Sequence, residues 1–222
     1  MRQGCIGRLR AGGLQNRTGA VIEPRDPLDA ACYTMAVNAI FEAAKEVAVF
    51  MQARHWRFCV IGGLAVQRWG EPRATLAADM TLLTRLGGEE RYATPLLEAF
   101  RSRIPDALSF ALARRVLLLK ASNGKDVDIC FGALPFEEEM IRRAIQFEFA
   151  PGLILPCCTA EDLFVMEAFA SRSRDWLDAE SVVTRQEHVD TDYLLQQLNT
   201  LRDLKEAPEI AERAQRILSR RP

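Results

Sequence analysis

Apolar residues recur with helical spacing from Ala36 to Arg54, at Ile40, Ala43, Ala44, Val47, Val49, Phe50 and Met51. This spacing predicts a helix. Arg57 to Ile61 (RFCVI) is a short β-prone run that stops at Gly62-Gly63, and helical character resumes over Leu64 to Trp69. Gly70 and Pro72 then mark a loop. Asp79 to Leu83 alternates polar and apolar side chains and reads as a strand, while Glu89 to Arg101 reads as a second helix. Two β-prone runs follow, Arg115 to Ala121 and Asp126 to Phe131, on either side of Asn123-Gly124. Asn-Gly between such runs predicts a hairpin, because both residues tolerate the positive φ that a tight turn needs. Pro135 to Ala144 reads as a charged helix and Phe147 to Leu155 as a strand pair or edge. After Pro156 the character changes. Thr159 to Asp162 resembles a helix cap, and helical periodicity runs nearly to the end with breaks near His188 and Pro208. The expected architecture is α+β with a C-terminal helical module.

A chain of 222 residues suits one generous domain or a domain with an appendix. We expect a poorly ordered extension over residues 1–34, with a natural start at Met35, an α/β core over 35–155 and a helical module over 156–222. A hydrophobic share of 49% excludes a disordered or collagenous chain. Net charge is −1, so any nucleic-acid contact must come from a local patch. Arg114-Arg115 and Arg142-Arg143 are the candidates, though such pairs are more often solvated faces. The six cysteines form no CxxC, and neither His55 nor His188 is near one. Buried reduced thiols and a cytoplasmic location are therefore expected, rather than structural zinc or disulfides. Phe58 to Val66 is too short to cross a membrane, so no membrane partner is expected.

Three features carry chemistry. Gly62-Gly63 lies between a strand and a helix, where backbone N–H groups can approach a phosphate at the positive helix end. A tight turn explains such a pair equally well. Arg73-Ala-Thr75-Leu-Ala77-Ala78-Asp79 leads into the following strand. Asp126-Val-Asp128 lies on the second hairpin strand, with both acids facing one side. Asp128 precedes Ile129-Cys130-Phe131, and an acid among buried residues needs a partner or a cation.

Taken together, Ile61 to Thr75 (IGGLAVQRWGEPRAT), Asp79 and Val127-Asp128 resemble nucleotidyltransferases of the AbiEii type, within the DNA polymerase β-like superfamily. The resemblance extends to Leu134 to Ala144, to Glu161 to Ala170 and to Arg174 to Asp178, and covers about residues 36–205. It implies a nucleotidyltransferase core with a mixed sheet. It implies transfer of a nucleoside monophosphate from an NTP to a hydroxyl acceptor, with Mg2+ or Mn2+ as cofactor. Asp79 and Asp128 would be the catalytic metal ligands, and Gly62, Gly63, Arg73 and Thr75 would serve the nucleotide. In relatives the activity belongs to toxins of phage defence and toxin–antitoxin systems, some acting on tRNA ends. An RNA acceptor and an antitoxin partner follow from that resemblance alone.

Two positions depart from the pattern. The first carboxylate of the T-x-D-x-D motif falls on Ala77, and a lysine of the helical tail falls on Glu167. Nucleotidyl transfer uses two divalent ions about 4 Å apart, and alanine offers neither an oxygen ligand nor a charge. The expectation is an impaired transferase, or a module that keeps the fold and binds a nucleotide or a protein.

Overall fold

The computed structural model describes residues 27–205 and 207–220, with side chains over 38–201 and 207–220. Most of the expected N-terminal extension, with Cys5, lies outside those residues. The first helix, α1 (Pro27–Gln52), begins well ahead of Ala36. Its buried residues Ile40, Ala43, Ala44, Val47, Ala48 and Met51 form one stripe at three- and four-residue steps, which is how a helix covers a sheet.

After α1 the chain runs β1 (Phe58–Ile61), α2 (Gly62–Trp69), β2 (Ala77–Leu83), α3 (Glu89–Ala99), β3 (Arg101–Ser102), α4 (Ala107–Arg114), β4 (Val116–Lys120) and β5 (Asp126–Gly132). Then come α5 (Pro135–Arg143), β6 (Ile145–Ala150), β7 (Leu153–Cys157), α6 (Ala160–Ala170), α7 (Ser173–Arg185), α8 (Thr191–Lys205) and α9 (Pro208–Leu218). The seven strands form one mixed sheet in the order β3-β4-β5-β2-β1-β7-β6. β1 pairs antiparallel with β2 and parallel with β7, and β2 pairs parallel with β5. All four residues of β1 are buried, as befits a central strand covered on both faces.

Alternation sorts the side chains onto two cores. Val60, Ala78, Met80, Leu82, Val127, Ile129 and Phe131 share one core with α1. Cys59, Ile61 and Leu83 share the other with α2, α5 and the helices from α6 onward. Asp79 alternates with Ala78 and Met80, and Asp128 with Val127 and Ile129. Both acids therefore lie on the face that the C-terminal helical module covers.

The hairpin forms around Asn123-Gly124. Gly124 has φ +78°, Asn123 accepts from the Lys125 N–H at 3.0 Å, and its amide donates to the Ala39 carbonyl at 2.8 Å. The strand pair expected over Phe147 to Leu155 is β6 and β7, with β7 running on to Cys157. One segment differs from expectation. The helix begun at Glu89 stops at Ala99, and β3 and α4 fill the stretch that periodicity left without elements. α4 is only eight residues long and is flanked by left-handed Asp106 and Arg115, so it has little periodic signal to read. Cys59, Cys130, Cys157 and Cys158 are free thiols. Trp176 is buried, and Trp56 packs edge-on against Phe50 and Tyr92. Among the described residues no helix is long and apolar enough to cross a membrane.

Candidate active site

Pairing of β2 with β5 sets Asp79 directly beside Asp128, and pairing of β1 with β2 sets Ile61 opposite Asp79. The next residue along, Gly62, has φ +56°, a conformation that strains any side chain. A Cβ there would stand 2.7 Å from Oδ2 of Asp79. Gly62 is therefore required twice, for its backbone angle and for the space that Asp79 fills. The Gly63 N–H donates to the Asp79 carboxylate, which couples the start of α2 to the acid. A Cβ on Gly63 would lie 2.5 Å from Oγ1 of Thr75, whose hydroxyl donates to the Ala77 carbonyl at 3.0 Å. Gly62, Gly63, Thr75, Asp79 and Asp128 thus gather at one end of the sheet.

Asp79 is held well above the ordinary carboxylate range, at about 6, first by burial and then by the neighbouring charge of Asp128. Burial likewise raises Asp128, against the opposing pull of Arg103. Nη2 of Arg103 lies 2.7 Å from Oδ1 of Asp128, a close ion pair out of line for a hydrogen bond. Its Nη1 lies 2.9 Å from Oδ2 of Asp126. Lys120 also pairs with Asp126. Asp126 sits directly beside Ala77 in the β2–β5 register, so the row that lacks a carboxylate on β2 has one on β5, already engaged by two cations.

Arg73 stands at the turn, with Nη1 3.5 Å from where a Cβ on Gly63 would lie, and is anchored from α7. Its Nε donates to both oxygens of Asp178 at 2.8 and 2.9 Å, and its Nη2 to Oδ2 at 2.6 Å. This fork ties the loop before β2 to α7. Glu167 on α6 is buried beside Asp175 and Asp178 on α7. Burial first, then the charges of Asp178 and Asp175, push its carboxyl up to about 8. A group with that pKa is mostly neutral at pH 7, so Glu167 brings less negative charge to the face than its sequence position implied. Arg172 pairs with Asp175 at 2.7 Å. Two of the arginines expected on solvated faces also have partners: Arg115 bonds the Phe131 carbonyl and pairs with Glu89, and Arg143 pairs with Asp162.

The residues present do not fit a centre for two divalent ions. Ala77 supplies no ligand, Asp128 is paired with Arg103, and among the described residues no three His, Cys, Asp or Glu side chains gather as a metal set. Sequence reasoning missed Arg103, Asp126 as its partner, and Asp178. A faint signal existed for the first: two acids on one strand face need a compensating cation, and Arg101 and Arg103 lie in the preceding stretch.

No protein-family model matches the chain, and no curated protein does. Solved structures do resemble it. An antigenic nucleotidyltransferase-like protein from Paracoccidioides brasiliensis superposes with a TM-score of 0.50 and 13% identity, over 80% of this chain and 93% of that one. The antibiotic-resistance factor ANT(2'')-Ia superposes with a TM-score of 0.50 and 16% identity, over 80% of this chain and 96% of that one. At such identities the likeness is one of fold. The chain carries the nucleotidyltransferase fold, a mixed-sheet core followed by a helical module.

Proposed function

We propose that this chain binds a nucleoside triphosphate at the Gly62-Gly63 turn and descends from enzymes that move a nucleoside monophosphate onto a hydroxyl acceptor, with that transfer impaired here by Ala77. One observation carries the reading: Gly62, Gly63, Asp79 and Asp128 converge at one sheet end although they are remote in sequence. The turn presents backbone at the start of a helix, whose positive end favours phosphate. Asp79, poised at about 6, is suited to accept the proton of an attacking hydroxyl near neutral pH. RNA, tRNA ends included, is the acceptor class we infer from the AbiEii resemblance, and an antitoxin protein the partner. Magnesium or manganese belongs to the ancestral reaction, and the present side chains support at most a reduced ion site at Asp79 and Asp128.

A second reading has its own support. The missing oxygen at Ala77 and the pairing of Arg103 with Asp126 and Asp128 favour a module that binds nucleotide, or a protein partner, without turnover. Calorimetry with each NTP tests what the two readings share at the nucleotide. Heat is expected with at least one NTP, and it is expected to vanish in Gly63→Ala, whose added Cβ meets the Thr75 side chain. Absence of heat with every NTP, in a folded sample, contradicts nucleotide binding.

A further inference from the structure

The geometry points to Arg103 as a built-in cation that occupies the Asp126–Asp128 face and competes with a divalent ion for it. The guanidinium reaches Asp126 at 2.9 Å with one nitrogen and Asp128 at 2.7 Å with another. A planar fork that meets two carboxylates at once is well suited to this task, in a way that a single ammonium is not. Its backbone is fixed too. The Arg103 N–H donates to the Leu118 carbonyl at 3.0 Å, and Leu118 is the β4 register partner of Asp128. The side chain thus starts one strand away from the acid that it pairs with, and only 20% of it is exposed. Lys120, from the same strand as Leu118, adds a second positive charge at Asp126.

The charge pattern gives the contact a consequence. Ala77 removes one negative charge from this end of the sheet, and the single charge of Arg103, shared between Asp126 and Asp128, acts with Lys120 to offset two more. A divalent ion approaching Asp128 must displace the guanidinium or share the carboxylate with a neighbouring positive charge. Like charges a few ångström apart repel strongly where solvent is sparse. Loss of the Ala77 carboxylate and capture of Asp128 by Arg103 therefore act in the same direction. The inference deepens the proposed function by naming what controls the ion at that site. It rests on that reading only for its biological meaning, because its test uses no nucleotide and can fail while nucleotide binding stands.

The test is Mn2+ alone, titrated into the full chain while the electron paramagnetic resonance signal of free Mn2+ is followed. The unmodified chain is expected to show no site tighter than about 1 mM, the weak end of the affinity scale. Arg103→Gln leaves Asp128 uncompensated while Lys120 still holds Asp126, and it is expected to gain one site at least about tenfold tighter. Arg103→Gln with Asp128→Asn is expected to lose that site again. A tight Mn2+ site in the unmodified chain overturns the proposal whether or not the variants fold. So do coincident titration curves for the unmodified chain and a folded Arg103→Gln.

Discussion

Arg73 grips Asp178 with three hydrogen bonds of 2.6 to 2.9 Å, joining the loop that precedes β2 to helix α7. The loop carries Thr75 and Ala77 to the sheet end, so this clamp also sets where the helical module sits over Asp79. Neither partner is well exposed, at 20% and 7% of the side chain. Breaking a buried pair by removing one partner leaves an uncompensated charge and costs about 3–5 kcal/mol. Arg73→Ala is expected to lower unfolding stability by about 3 kcal/mol. Urea denaturation measures it, and a change under about 0.5 kcal/mol, the usual range for surface substitutions, would show that the clamp is only a surface contact.

Gly62→Ala is expected to be worse than an ordinary surface change. It combines a positive φ with a Cβ placed 2.7 Å from the Asp79 carboxylate. The backbone conformation alone costs about 1–2 kcal/mol for an L-residue, and Asp79 must also move. Gly124→Ala serves as the comparison, since it shares the positive φ but has nothing within 4 Å of its Cβ. Thermal melting should place Gly62→Ala well below Gly124→Ala. Equal melting temperatures would mean that Asp79 yields freely.

Stability is expected to fall as pH rises from 6 to 9. Glu167 is raised from 4.5 to about 8, so the folded state holds its proton where the unfolded chain has lost it. A raised pKa contributes stability that is complete below 4.5 and is lost as pH climbs through about 8. Asp79, raised from 3.8 to about 6, acts in the same sense but is largely spent by pH 7. Glu167→Gln keeps the shape and removes the titration. Its melting temperature should be flat over this range where the unmodified chain declines, and parallel declines would assign the effect to another group.

Much of the site was legible because its pieces are local. A strand that ends at Gly62-Gly63, a helix straight after, and acids at alternate positions of strands leave clear marks in a sequence. The hairpin at Asn123-Gly124 was legible for the same reason. The partners of those pieces were not. That Asp178 captures Arg73, and that Arg103 reaches Asp126 and Asp128, depends on elements brought together by the sheet order, and β1 pairing with β7 across the chain leaves no periodic trace. β3 and α4, which deliver Arg103, are too short for hydrophobic periodicity to register. Glu167 was seen as a charge near phosphate, and only its burial beside Asp175 and Asp178 shows why it is mostly neutral at pH 7.

The central claim is that this fold carries a transferase site short of one carboxylate at Ala77. Transfer of labelled nucleoside monophosphate to an RNA pool, in the presence of manganese, compares the unmodified chain most directly with Ala77→Asp combined with Arg103→Gln, which would also free Asp128. The ion arrangement that these changes would complete would carry several kcal/mol of transition-state stabilisation, so the double variant is expected to be faster by about a thousandfold. Equal transfer rates for the two proteins would contradict the claim and place the chemistry on other residues.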